Sequence, residues 1–195
     1  MTQGFTGGVE LSNVVGPASA TDNALARYNG ATGKILQDST VLVSDAGQMT
    51  NPSQPCFAAA MSGTASNVTG DGTVYNIAFD TENYDQNDNF SMSTGLFTTP
   101  VNGKYYFKTT VRFNGILAGH NIGQIEFYVS GGSYLANYGN YAAMSTGGTL
   151  ILEASSMIIA TTAAVAVGVR VTVSGSTKVV DIGSGSTEFE GFLIC

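Results

Sequence analysis

From Cys56 onward, apolar and polar residues alternate along the chain. In RVTVSG, Val171 and Val173 fall on one face of an extended strand and Arg170 and Thr172 on the other. CFAAAMS, VYNIAFD, GLFTTPV, KYYFKTTVRFNG, GQIEFYVSG, TLILEAS, AAVAVGVRVTVSG, KVVDIG and TEFEGFLIC follow the same habit, rich in Val, Ile, Tyr, Phe and Thr and separated by Gly, Asn, Ser or Pro. Each predicts a strand, and no stretch carries the 3.6-residue period of an amphipathic helix. So many short strands with such punctuation imply an all-β sandwich or jelly roll. Two stretches are apolar on both faces: the run Tyr105, Tyr106, Phe107 and the segment TTAAVAVGV at 161–169. Burying both faces requires a second layer and, on the far side, another layer or subunit. Tyr105, Tyr106, Phe107, Val165 and Val167 are therefore core or subunit-contact candidates. Val101-Asn102-Gly103-Lys104 reads as a hairpin corner in which Gly103 supplies a positive φ.

The first 55 residues follow a different pattern. GPASATDNALARYNGATGKILQDSTVLVSDAG holds short apolar pairs between Gly, Asn, Asp and Pro. Such pairs fit short strands with tight turns, yet none builds a core-sized face. The segment is thus either a stalk ordered by partner chains or a linker. The divisions expected are 1–15 as an anchoring segment, 16–54 as stalk or linker, and 55–195 as the globular head.

Composition narrows the functional classes. Charged residues make up 11% of the chain against roughly 25% in an average soluble domain. Hydroxyls and amides, more than ions, therefore solvate the surface, as suits a durable extracellular or particle-borne protein. The net charge is −7, and the seven Lys and Arg are scattered from Arg27 to Lys178. Counterion release from nucleic acid needs clustered cations, so a nucleic-acid partner is not expected. No apolar run approaches the roughly 20 residues that cross a bilayer, so no membrane insertion is expected. MTQGFTGGVE lacks the basic start and apolar stretch of a secretory signal, which predicts synthesis and retention in a cytoplasm.

Candidate chemistry is sparse. The one histidine, His120, stands in the Gly-flanked NGILAGHNIG without a nucleophile-elbow motif. GGSYLANYGN lacks the Lys and following helix of a phosphate loop. Asp80, Glu82, Asp85 and Asp88 could pair for glycan hydrolysis, but they share one Asn-rich loop. The spacing Asp85, Asn87, Asn89 matches the start of a calcium loop, but Phe90 stands where that motif needs Gly. A solvated turn held by side-chain-to-backbone bonds is the preferred reading of 80–89. Two cysteines and a distant histidine make no zinc site. No catalytic residue, metal or cofactor is assigned.

The stretch AFDTENYDQNDNFSMSTGLFTTPVNGKYYFKTTVRFNG and the closing STEFEGFLIC carry Phe79-Asp80, Thr94-Gly95, Phe97, Pro100, Gly103, Tyr105-Tyr106-Phe107 and Phe189-Gly191-Phe192-Leu193. In order and spacing they resemble the globular-head family of complement component 1, subcomponent q, a relative of tumour necrosis factor. The resemblance covers about residues 55 to 195. It implies a ten-stranded jelly roll packed as a tight homotrimer, and adds Phe192 to the contact candidates. Residues 16 to 47 resemble a segment common in fibre proteins of tailed bacteriophages. Together the halves imply a virion fibre, made in the host cytoplasm and released at lysis. Its partners would be other virion proteins through the N-terminus and a bacterial surface glycan or protein through the head. A capsid decoration protein is the alternative, and a glycan-degrading enzyme a more distant one.

The implied topology sorts the loops by counting reversals back from residue 195. Loops 114–121, 154–162, 183–186 and the acidic loop 81–93 are expected to point away from the stalk. Turns 100–103, 139–146 and 174–176 are expected to point toward it. Receptor-contact candidates are then Asn114, His120, Asn121, Asp85, Asp88 and Ser184. Cys56 opens the first head strand and Cys195 closes the last. In the family topology these strands are antiparallel neighbours, so the two thiols are expected near each other at the base, with a disulfide left open.

Overall fold

The computed structural model describes residues 16–130 and 132–195; the anchoring segment expected at 1–15 lies outside the described residues. The chain divides into two compact units between Ser53 and Gln54.

In the N-terminal unit, β1 (Ala24–Tyr28), β2 (Leu36–Val43) and β3 (Met49–Thr50) form an antiparallel sheet in the order β1-β2-β3. The turn after β2 is closed by the Gly47 and Gln48 amides, which donate to the Ser44 carbonyl at 2.7 Å and the Ser44 hydroxyl at 3.1 Å. No described residue of this unit is buried. The sheet satisfies its backbone but encloses nothing, as the short apolar pairs of its sequence predict.

The C-terminal unit is a sandwich. One sheet has the path β13 (Leu150–Ala160), β10 (Gly103–Asn114), β15 (Val180–Leu193), β4 (Cys56–Ala60), β7 (Thr81–Gln86), with β5 (Ala65–Thr69) also pairing with β15. The other has the path β12 (Gly132–Gly139), β11 (Ile122–Val129), β14 (Ala166–Ser174), β9 (Leu96–Thr98), β8 (Phe90–Ser91), with β6 (Val74–Asn76) also on β14. The one described helix, α1 (Tyr141–Met144), is a single turn capped by Asn140.

Alternation in the sequence becomes burial in the sandwich. On β10, Tyr105, Phe107, Thr109, Val111 and Phe113 point inward, while Tyr106, Lys108, Thr110 and Arg112 point outward. Phe57 stacks on Phe97 with centroids 4.6 Å apart and meets Phe189 edge-on at 4.8 Å; Phe107 and Phe127 extend the cluster. Burying each such ring is worth about 1.5–3 kcal/mol, so this aromatic layer dominates the cohesion between the sheets.

Several details differ from the sequence reading. KVVDIG and TEFEGFLIC form one strand, β15. Residues 184–187 bulge out of its ladder with β10, where register passes from Thr110↔Glu188 to Arg112↔Gly183. The Thr187 hydroxyl accepts from the Arg112 amide at 3.1 Å and donates to the Gly183 carbonyl at 2.6 Å, so the chain crosses the bulge without stranding that amide. Segment 81–86, read as part of the acidic loop, and segments 65–69 and 132–139, not assigned to strands from sequence, are strands. Residues 161–165 precede β14, so only Ala166–Val169 of TTAAVAVGV is strand. There Val167 and Val169 face the core, and Val165 packs against its edge.

The corner at 101–104 is not a hairpin. β9 pairs with β14 and β8, whereas β10 pairs with β13 and β15, so the chain crosses between sheets there. Gly103 is not at positive φ but opens β10. A Cβ at that position would come within 2.5 Å of Leu193 Cδ1 and 2.8 Å of the Cys195 carbonyl oxygen. Close approach to the last strand explains this glycine better than turn geometry.

Candidate functional site

Strand pairing defines two ends of the C-terminal unit. The base carries Cys56, Gly103, Ala160 and Leu193, and the apex carries Asn114, Leu150 and Asp181. Because β15 is one strand and β12 is present, the count of reversals changes. Loop 115–121 is at the apex, as expected. The loop after β14 at 175–179 and the segment around α1 are also at the apex, where the reading had them at the base. The turn after β13 and the acidic turn after β7 lie at the base, where the reading had them at the apex.

The receptor-contact candidates accordingly separate. Asn121 is exposed at the apex. Asn114 is half-buried, its Oδ1 accepting from Arg112 Nε at 3.2 Å and from the Thr149 hydroxyl at 3.3 Å. His120 is fully buried, so the role of surface contact does not hold. Its Nδ1 accepts from the Leu117 amide at 2.9 Å, which places the ring proton on Nε2, 3.0 Å from the Thr177 carbonyl it donates to. The His120 carbonyl accepts from the Ala142 amide at 2.9 Å. Through its ring and its backbone carbonyl together, His120 thus ties three apex segments.

Ser184 lies half-buried in the β15 bulge, nearer the apex than the base. Asp85 and Asp88 lie toward the base. Asp85 Oδ2 accepts from the Phe90 amide at 2.7 Å, closing the acidic turn. Asp88 is exposed at φ 53°. Of the solvated turn expected at 80–89, residues 81–86 are strand β7, the turn itself is limited to 87–89, and Asp85 Oδ1 is buried without a hydrogen-bond partner. Among the described residues no three His, Cys, Asp or Glu side chains gather as metal ligands.

The cysteines stand at the base on neighbouring strands, but β4 pairs Cys56 with Phe192, not Cys195. Three residues further along an extended strand is roughly 10 Å, beyond the 4.4–6.8 Å Cα separation of a disulfide. Both thiols are free. Burial, reinforced by the Asp85 charge, pushes the Cys56 thiol pKa up, which disfavours its thiolate.

The most distinctive surface is the outward face of the β13-β10-β15-β4-β7 sheet. Register places Met157, Tyr106, Phe192 and Cys56 in one row across four strands. The Tyr106 and Phe192 rings are 5.6 Å apart, and Met157, Phe192 and the neighbouring Ile159 are exposed. In the next row Lys108 bridges Glu153 at 3.0 Å and reaches Glu190 at 3.8 Å, and the Glu153 contact raises the lysine's pKa. A second apolar strip lies on the edge strand β12, with Leu135 and Tyr138 on its outward side and the exposed Tyr134 on the side of Phe127. Of the contact candidates, Tyr105, Phe107 and Val167 belong to the chain's own core. Tyr106 and Phe192 face out. Met157 and Ile159 went unnoticed in sequence, although SSMIIA continues the alternation of TLILEAS.

A family model for the C1q domain matches residues 57–194, and the chain belongs to that family. Two solved structures share the fold. The globular domain of zebrafish complement 1qA protein is 19% identical with a TM-score of 0.51, over 72% of this chain and 98% of that one. Murine APRIL is 6% identical with a TM-score of 0.50, over 72% and 99% respectively. No curated protein sequence matches significantly. The aligned share corresponds to the C-terminal unit, an all-β jelly roll whose two sheets here hold six strands each. Domains of this type are typically homotrimeric binding or structural modules.

Proposed function

We propose that the chain is a trimeric virion fibre of a tailed bacteriophage, with the C-terminal unit as a head that attaches to the host surface. The observation that carries this reading is the contrast between a head with a complete aromatic core and an N-terminal sheet in which no described residue is buried. A sheet that exposes Leu25, Tyr28, Ile35 and Met49 gains stability only when other chains cover it. Three copies of a stalk segment supply that cover, and the fibre-like segment at 16–47 supports the same role.

Within the head, the row through Tyr106 and Phe192 and the strip on β12 are two different surfaces. Contact between unlike surfaces is heterologous and closes into a ring when the rotation permits. A threefold ring buries the exposed rings and leaves Lys108 bridged to Glu153 and Glu190 near the contact. Attachment then falls to surfaces outside that contact, with Asn121 and the apex loops available.

Immunogold labelling of intact virions tests the assignment. Label at the tail tip supports host attachment. Label over the capsid replaces it with a decoration role, and absence of label from purified virions overturns the fibre reading.

A further inference from the structure

The outer face of the second sheet holds an opening of a different kind. Strand β14 is bordered by two short strands that do not meet: β9 pairs with Ala166 and Val167, and β6 with Arg170 to Thr172. Gly168 and Val169 lie between them, and a cavity of about 170 Å³ opens over this junction. Gly168 pairs directly with Tyr128 on β11, so no side chain from the directly opposite position covers the tyrosine, which stays 37% exposed. Arg170 stands 5.9 Å from the Tyr128 ring centroid. Leu96 forms an apolar wall, and Asn76 and Thr94 also line the opening. A Cβ at Gly168 would come within 2.5 Å of Leu96 Cδ2 and would have to displace that methyl from the wall of the opening.

The lining limits the ligand. The volume is below the roughly 300–1,000 Å³ typical of drug-sized sites, so it holds a single small ring. No charged side chain lines it, and the nearby Arg170 is matched by Glu126 at 2.8 Å. Among the described residues the Asn76 amide and the Tyr128 hydroxyl make no hydrogen bond, so both are free to pair with hydroxyls. A half-exposed aromatic ring with a polar tip offers a π face to polarised C–H groups and a hydrogen bond at its edge. A neutral sugar ring presents that combination of apolar face and hydroxyl rim.

We infer that this cavity is a binding site for one neutral hexose unit of a surface glycan, with Tyr128 as the stacking platform and Asn76 and Thr94 as hydroxyl partners. The inference rests on reading the C-terminal unit as an attachment head. The cavity is on the sheet opposite the Tyr106–Phe192 face and opens over β14, β9 and β6, with β11 between it and the β12 strip, so a ring contact made by that strip and the Tyr106–Phe192 row leaves one copy accessible on each subunit, and three weak sites act together on a repetitive glycan.

The test is titration of the full chain with methyl glycosides of glucose, galactose and mannose, followed by NMR of the tyrosine ring signals, with adsorption of labelled protein to bacterial cells scored in parallel. At least one neutral glycoside should bind saturably. Tyr128→Ala and Asn76→Ala should each weaken it by about tenfold or more. Asp88→Asn, at the base, should leave it unchanged, and methyl glucuronide should bind more weakly. No saturable binding by any neutral glycoside, both variants binding like the parent, or tighter binding of the glucuronide overturns the inference. Cell adsorption without glycoside binding overturns the cavity's role and leaves the attachment reading standing. Glycoside binding without adsorption supports the cavity and removes the attachment reading.

Discussion

The two units obey the same backbone rules and differ in what they enclose. Both pair short antiparallel strands. In the C-terminal unit every other side chain of β10 enters an aromatic core, whereas in the N-terminal unit no described side chain is buried. Strand pairing alone therefore does not make a stable domain. A second sheet must be present to take the apolar face out of water, and the described N-terminal residues form only one.

The sharpest way to break this comparison is to remove the core. Phe107→Ala should destabilise the C-terminal unit by about 3–5 kcal/mol, read by thermal or denaturant unfolding. Leu42→Ala in β2, half-buried at most, should leave that transition in place. Equal losses would erase the distinction between a self-sufficient unit and a dependent one.

The next largest effect falls on assembly. The double variant Tyr106→Ser, Phe192→Ser removes the paired rings of the outward row and should weaken subunit association by well over tenfold, because central aromatic anchors carry most interface energy. Far-UV circular dichroism should stay that of a β protein while sedimentation shows smaller species. An unchanged trimer would mean that this face is not the contact.

A smaller effect is expected at the apex. His120→Ala removes the ring partner of the Leu117 amide and the Thr177 carbonyl, two part-buried hydrogen bonds worth about 0.5–1.5 kcal/mol each. Hydrogen exchange should quicken in 115–121 and 175–179 before it does in β10. Uniform quickening across the sandwich would show that the histidine supports the core and not the apex loops.

Smallest is the carboxylate of Asp80, which accepts from the Ser62 hydroxyl at 2.6 Å and the Ser62 amide at 2.7 Å, and so has its pKa lowered. A depressed folded pKa adds stability above the unfolded value of about 3.9 and loses it as pH falls through the folded value. Melting curves between neutral pH and pH 3 should show a slightly steeper acid loss in the parent than in Asp80→Asn. A larger acid loss in the variant would contradict that sign.

Much of the head was legible because alternation and aromatic content encode strands and a two-faced core directly. The family motifs around Tyr105-Tyr106-Phe107 and Phe189-Gly191-Phe192 sit where the sheets need inward rings and close contacts. Loop polarity was not legible. GSGST at 183–187 has the composition of a turn, yet Thr187 holds it inside one strand as a bulge. GSYLANYG reads as a loop because Gly and Asn interrupt it, yet it pairs along the edge of a sheet. Those two misreadings offset each other by loop 115–121 but inverted the loops between them, and the acidic turn went to the wrong end because the strands on either side of it, β7 and β8, were read as one loop. His120 was missed because a glycine-flanked loop looks exposed, and only the folded chain brings the Thr177 carbonyl over its ring. Gly168 gave no signal at all, since its meaning depends on Tyr128 across the ladder and Leu96 across the sheet junction.

Native mass spectrometry of the full chain at micromolar concentration bears most directly on whether partner chains complete what one chain leaves open. The expected result is a single species at three times the chain mass of 20.1 kDa, which the Tyr106→Ser, Phe192→Ser variant converts to lower mass. A folded species at 20.1 kDa that persists across that concentration range, with the N-terminal sheet protected from exchange, would contradict it.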